Sequence, residues 1–288
     1  MPELASDAVD PLIDHLVALP PVEVVYTDLD GTLLGRGGSV LRDADGRPSL
    51  RAAGALVAAA EEGIAVVAVS GRRAADLRHD ARLLGLDGAI AEVGTVVIRG
   101  GAQHHRWGGC PRDLADTPRE ALRVAGALDV LLAAFDGDIR PFEPWDAGRE
   151  GGHLLHGRID VAAADAALEA AGLGWAHVLD NGRAGGWEGR ADVHAYHLVA
   201  RGTGKAAALA EDLAERRLTR DQALAVGDSV EDLTMAGEVG TYVIVANGHG
   251  EEGAGCVRVP GRNGDGVADA IDAVLAARRL RPDLRSRG

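Results

Sequence analysis

Short, continuous apolar runs alternate with helical segments along most of this chain, and that rhythm restricts the fold more than any other feature. VEVVYT (Val22–Thr27) and IAVVAV (Ile64–Val69) are Val-rich throughout, so each needs cover on both faces, as strands of parallel sheets have. Between them PSLRAAGALVAAAEEG reads as a helix capped by Ser49 and closed by Gly63. RRAADLRHDARLLG supplies a second helix up to Gly85, and GAIAEVG a third short strand leading into GTVVIRGG.

Beyond that point the composition changes. All four tryptophans (Trp107, Trp145, Trp175, Trp187) and seven of the ten histidines fall between Gly101 and Ala200, which marks a module with its own packing. Inside it TPRE forms a capping box, with Thr117 as cap, Pro118 in the first helical position and Glu120 reaching back, and predicts a helix to Ala134. A second helix runs from Asp160 to Gly172, and WAHVLD then reads as a strand turned by Asn181-Gly182 into a hairpin. The first rhythm resumes at VHAYHLVARGTGK, continues through the strands ALAVGD and TYVIVANG with a short helix SVEDLTMAGEVG between them, and closes with the helix GVADAIDAVLAARRL and a loose polar tail. The expected organisation is a doubly wound, mostly parallel Rossmann-like α/β core, 20–100 and 197–280, interrupted by an α+β cap over 101–196.

Apolar residues make up 47% and charged residues 26%, ordinary for a globular chain, and no apolar run reaches the roughly 18 residues that span a bilayer. The N-terminus lacks the pattern of a signal peptide, so the reading is cytoplasmic, with Cys110 and Cys256 as free thiols. A formal charge of −14 repels phosphate backbones and argues against nucleic acid as a partner. It leaves room for a small anion held through a metal, on a monomer or homodimer.

In open parallel sheets ligands bind outside the carboxyl ends of the strands. Asp28, Ser70 and Asp228 end three of the apolar runs here, and Asn247 ends a fourth. Gathering Asp28, Asp30, Asp228 and Asp232 on one edge is unfavourable unless a cation sits among them, and hard oxygen ligands without His or Cys favour Mg²⁺. Lys205 opens a helix, where a cation opposes the helix dipole at a cost of about a few tenths of a kcal/mol. A lysine facing a bound phosphate recovers that cost. GTGK itself is no phosphate loop, because Val199 and Ala206 stand where that motif needs Gly and Ser or Thr.

These residues resemble the four motifs of the haloacid dehalogenase superfamily of phosphohydrolases. DLDGTLL is similar to motif one, Ser70 in VSGR to motif two, Lys205 to motif three and GDSVED to motif four, together covering Val22 to Asn247. The resemblance implies that Asp28 is a nucleophile forming an aspartyl-phosphate and Asp30 a general acid and base. It implies Mg²⁺ held by Asp28, the Asp30 carbonyl and Asp228, with Asp232 outside them, and phosphate contacts from Ser70 and Lys205. Gly31, Thr32, Gly71, Arg72 and Asn247 complete the implied substrate-binding set. Glu231 stands where many sugar-phosphatase relatives have Asn. The insertion after motif two resembles the type IIB, Cof-like branch, which includes sucrose-phosphate and mannosyl-3-phosphoglycerate phosphatases. The expected activity is hydrolysis of a small phosphorylated metabolite, a sugar phosphate or glycosyl-phosphoglycerate. A phosphomutase or phosphotransferase of the same fold and a non-catalytic binding module are the alternatives.

Overall fold

The computed structural model describes residues 10–281; the polar tail expected over 281–288 lies outside them except for Arg281. In chain order the elements begin α1 (Asp10–Ala18), β1 (Val24–Thr27), α2 (Arg51–Glu61), β2 (Ala65–Val69), α3 (Ala74–Leu84) and β3 (Gly88–Ala91). They continue with β4 (Val96–Arg99), β5 (Ala102–His105), α4 (Pro118–Val124), α5 (Ala127–Ala134), β6 (Ile139–Pro141), β7 (His153–Gly157) and α6 (Val161–Ala170). The chain ends in β8 (Ala176–Arg183), β9 (His194–Ala200), α7 (Lys205–Arg216), β10 (Ala223–Gly227), β11 (Thr241–Ile244), β12 (Cys256–Arg258) and α8 (Gly264–Leu280). Two compact units result: one comprises residues up to Ser70, His79–Ala89 and Leu209 onward, the other Gly71–Arg78 and Ile90–Ala208.

The first unit is built on the parallel strand order β12-β11-β10-β1-β2. Every residue of β1 and β10 is buried, as their Val- and Ala-rich sequences require. Helices α1 and α2 both pack on α8, whose Ala268, Ala270, Ala273 and Ala277 are small enough for close approach. Arg51 of α2 reaches the buried Asp269 of α8 at 2.7 Å. The leader before Pro20 contains a helix that the sequence reading passed over: Leu12 and Leu16, one turn apart, are 0% and 2% exposed. One local expectation shifts: Ser49 accepts from the Arg51 amide, but Leu50 occupies the cap position of α2. SVEDLTMAGEVG forms the expected short helix, of 3₁₀ type, over Asp232–Glu238.

The second unit carries the hairpin β4–β5, turned through Gly100 and Gly101, both at positive φ as a two-residue hairpin loop demands. Its main body is an antiparallel sheet ordered β6-β7-β9-β8. Leu155, Val178, Tyr196 and Leu198 of that sheet share a core with Leu122, Leu131 and Leu168 of α4, α5 and α6. Thr117 caps α4 by accepting from the Glu120 amide at 3.2 Å, as expected, but Glu120 pairs with Arg123 and does not reach back. Gly126, at φ 80°, ends that helix early and starts α5. Asn181-Gly182 is not a hairpin turn. Gly182, at φ 86°, lets β8 run through it to Arg183 with a bulge, and the chain turns only afterwards.

Candidate active site

In the first unit the strand β1 ends at Thr27 and the next seven residues fold into a tight turn. Leu33 and Leu34 donate back to the carbonyls of Asp28 and Leu29, at 3.2 and 2.8 Å. Because the strand stops before Asp28, strand alternation does not govern the pair: Asp28 is 6% exposed, whereas Asp30 faces solvent. Asp228 follows β10, and one oxygen each from Asp28, Asp228 and Asp232 lie within 4.8 Å of one another. Such close carboxylates raise one another's energy, and a divalent cation among them removes the penalty; three hard oxygen donors suit one.

The surrounding contacts fix this edge. Thr32 is fully buried and donates to Asp228 Oδ1 at 2.8 Å. Gly31, at φ 93°, admits no side chain, since a Cβ there would stand 2.5 Å from Asp228 Oδ2. Asp232 Oδ2 accepts from the Ser229 hydroxyl at 2.7 Å and from the amides of Ser229 and Asp228. Asn247 uses both ends of its amide within the protein: its Nδ2 donates to the Gly31 carbonyl at 2.8 Å, and its Oδ1 accepts from the Asn263 amide at 2.7 Å. It braces the turn that carries Gly31. Glu231 begins the 3₁₀ turn, and its carbonyl accepts from Thr234. Ser70, directly after β2, is 2% exposed.

The second unit holds Gly71, Arg72 and Lys205 around one strained turn, Glu92–Thr95. Glu92 and Val93 both adopt positive φ, 51° and 53°, a conformation unfavourable for any β-branched residue. The Glu92 amide donates to the Arg72 carbonyl at 3.0 Å. Its carboxylate, 1% exposed as a residue, accepts from the amides of Ala74, Glu150 and Gly151, the last at 2.8 Å. Gly94 lies so close to Gly204 that a Cβ would come within 2.1 Å of the Gly204 carbonyl oxygen, which ties the turn to the residue before Lys205. Lys205 is 5% exposed.

Arg149 completes the arrangement. Its Nη2 donates to the Gly71 carbonyl at 2.9 Å and its Nε to the Trp145 carbonyl at 3.0 Å. Beside it Arg119 grips Asp146 through both carboxylate oxygens at 2.8 Å. Although burial works the other way, His153, Arg119 and the Leu154 amide hold the Asp146 carboxyl far below the usual range. His197 is driven in the opposite sense from a protonated base: burial first, then the charges of Arg149 and Lys205, push its pKa well below 6.5 and keep the ring neutral. Glu92, Arg149 and His197 were not foreseen from sequence, although Glu92 shares one sign with Asp28, an acid directly after a buried apolar run.

No family model matches the sequence. A phosphoglycolate phosphatase of Metallosphaera sedula is 27% identical over 257 residues, 88% of this chain and all of the relative. Among solved structures, a haloacid dehalogenase-like hydrolase from Bacteroides thetaiotaomicron superposes with a TM-score of 0.62 at 19% identity, covering 88% of this chain and 99% of its own. The sucrose-phosphatase of Synechocystis, solved with sucrose and phosphate, superposes with a TM-score of 0.59 at 17% identity over 87% of this chain and 97% of its own. No helix among the described residues is long and apolar enough to cross a membrane.

Proposed function

We propose that this chain, which has the fold of the haloacid dehalogenase-like hydrolases, is a Mg²⁺-dependent phosphatase of small phosphorylated metabolites, most simply of sugar phosphates. It is a hydrolase of phosphoric monoesters. The observation that carries the reading is the meeting of Asp28, Asp228 and Asp232 after β1 and β10 of a parallel sheet. The relatives named as a phosphoglycolate phosphatase and a sucrose-phosphatase support it.

In this reading an Asp28 oxygen forms a bond to phosphorus as the ester oxygen leaves, and Asp30 gives that oxygen a proton. Asp30 is exposed beside the buried Asp28, so solvent reaches its carboxyl. It then takes a proton from the water that attacks the aspartyl-phosphate, releasing inorganic phosphate and restoring the Asp28 carboxylate. Mg²⁺ would be held by Asp28, Asp228 and the Asp30 carbonyl, with Asp232 outside them, and would supply positive charge against the negative charge of the phosphoryl oxygens. Thr32 and Asn247 hold Asp228 and Gly31 in place; Ser70, Gly71, Arg72 and Lys205 are assigned to the phosphoryl oxygens by their motifs alone.

Phosphate release measured over a panel of sugar phosphates, phosphoglycolate and nucleotides, with Mg²⁺ and then with a chelator, tests the reading. Turnover that requires the metal is expected. Absence of release from every ester with Mg²⁺ present contradicts it.

A further inference from the structure

Helix α8 starts at Gly264, and the residue before it departs from what its type does at a helix start. Asparagine is favoured there because its side-chain oxygen accepts from an amide of the first turn. Asn263 makes no such bond, and its backbone adopts φ 50° and ψ −132°. A left-handed residue other than glycine ordinarily has ψ of about +30° to +60°, so the conformation is strained. Strain of this kind persists only where the surroundings hold it, and the contacts of Asn263 show what it is held for.

Both nitrogens of Asn263 donate outside α8. The amide donates to Asn247 Oδ1 at 2.7 Å, and the side-chain Nδ2 donates to the Leu34 carbonyl at 3.2 Å. Asn247 carries the first of these contacts onward, since its own Nδ2 donates to the Gly31 carbonyl at 2.8 Å. Asn263 thereby reaches the Asp28–Leu34 turn at its middle and at its end. Gly264 seats against the same turn, because a Cβ there would stand 2.7 Å from the Leu33 carbonyl oxygen. The turn in its own right shapes the carboxylate edge: Thr32 donates to Asp228 Oδ1, and a Cβ on Gly31 would collide with Asp228 Oδ2. Asp28 heads it, with its carbonyl accepting from the Leu33 amide at 3.2 Å. Every one of these residues belongs to the first unit.

The placement of this turn therefore governs how Asp28 stands relative to Asp228, two of the three carboxylates whose oxygens lie within 4.8 Å of one another. Mg²⁺ demands near-ideal octahedral geometry, so a small movement of the turn costs affinity. We propose that Asn263 is a positioning residue: acting through Leu34 and Asn247 on the turn that carries Asp28, it sets the affinity of the carboxylate edge for Mg²⁺. The assignment rests on the Mg²⁺-dependent phosphatase reading and adds to it a residue outside the four motifs.

Melting temperature of the full chain, titrated with Mg²⁺ in the absence of any ester, reads that affinity without reference to activity. Two variants separate positioning from fold stability. Asn263→Ala removes the bond to Leu34 and keeps the strain. Asn263→Gly removes the same bond and relieves the strain, since glycine adopts positive φ freely, so it reports even where the alanine variant folds poorly. The Mg²⁺ Kd is expected to rise about fivefold or more in both, the scale of one lost hydrogen bond, although Asn263→Gly melts in metal-free buffer no lower than Asn263→Ala. At limiting Mg²⁺, kcat/KM on p-nitrophenyl phosphate should fall in step. A residue that served stability alone would move only the metal-free melting temperature. A Kd within about twofold of wild type in Asn263→Gly overturns the assignment, as does a wild type whose melting temperature does not respond to Mg²⁺. A raised Kd in a chain whose wild type releases phosphate from no ester supports the positioning role and defeats the phosphatase reading, a distinct result.

Discussion

Asp28, Asp228 and Asp232 bring three carboxylates within 4.8 Å of one another, whereas in the other unit Asp146 and Glu92 are each enclosed by donors. Asp146 takes Arg119 at 2.8 Å and the Leu154 amide at 2.6 Å; Glu92 takes three main-chain amides. Burial is similar, since Asp28, Asp146 and Glu92 are 6%, 3% and 1% exposed. What differs is the company. Asp146 and Glu92 meet donors of their own chain, whereas Asp28, Asp228 and Asp232, although Thr32 and Ser229 donate to two of them, also meet one another, and acids gathered at strand ends make a place for a cation and for chemistry.

That contrast predicts opposite outcomes for superficially similar substitutions. Asp28→Asn should lower phosphate release by about a thousandfold or more while the protein stays folded, because it removes the nucleophile. Steady-state rates with a parallel melting curve check it. Asp146→Ala should do the reverse, destabilising the protein by about 1–3 kcal/mol by leaving the half-buried Arg119 and the Leu154 amide without their carboxylate acceptor, as read from denaturant unfolding. Mg²⁺ at about a hundred times its Kd should stabilise the wild type by about 2.7 kcal/mol, and Asp228→Asn should remove most of that gain. A melting series with and without chelator measures it.

The smallest expected effect is in the pH dependence. His197 has a folded pKa well below its ordinary 6.5, so the unfolded chain takes up a proton that the folded chain refuses. Its contribution is complete above about pH 6.5 and is lost as the pH falls towards the folded pKa. Melting temperature should therefore fall more steeply between about pH 7 and 5 in wild type than in His197→Gln. The Asp146 carboxyl is also depressed, so its contribution persists to lower pH and is lost as the pH falls from the usual carboxylate range towards the folded pKa.

The carboxylate edge was legible because its parts are local: an apolar run and then an acid, at Asp28 ahead of a Gly-Thr turn and at Asp228 directly after Gly227. The parallel order of β1, β2 and β10 followed from their unbroken apolar sequences for the same reason. What escaped depends on partners distant in sequence. Nothing around Arg149 announces that it will meet Gly71, 78 residues away, and Glu92 finds Gly151 at a separation of 59. Asn181-Gly182 misled because a dipeptide suited to a turn is equally suited to a bulge, and only the pairing of β8 with β9 decides between them. Leu12 and Leu16 offered one turn of helical spacing, too little against a proline-bounded leader.

The central claim, that Asp28 carries the phosphoryl group, is tested most directly by mixing enzyme with a phosphate-labelled substrate, quenching in acid within one turnover, and mapping the label to a peptide. The account predicts a phosphorylated peptide containing Asp28, absent from Asp28→Asn. Rapid release of labelled phosphate from an enzyme that carries no label at Asp28 at any time point would contradict it.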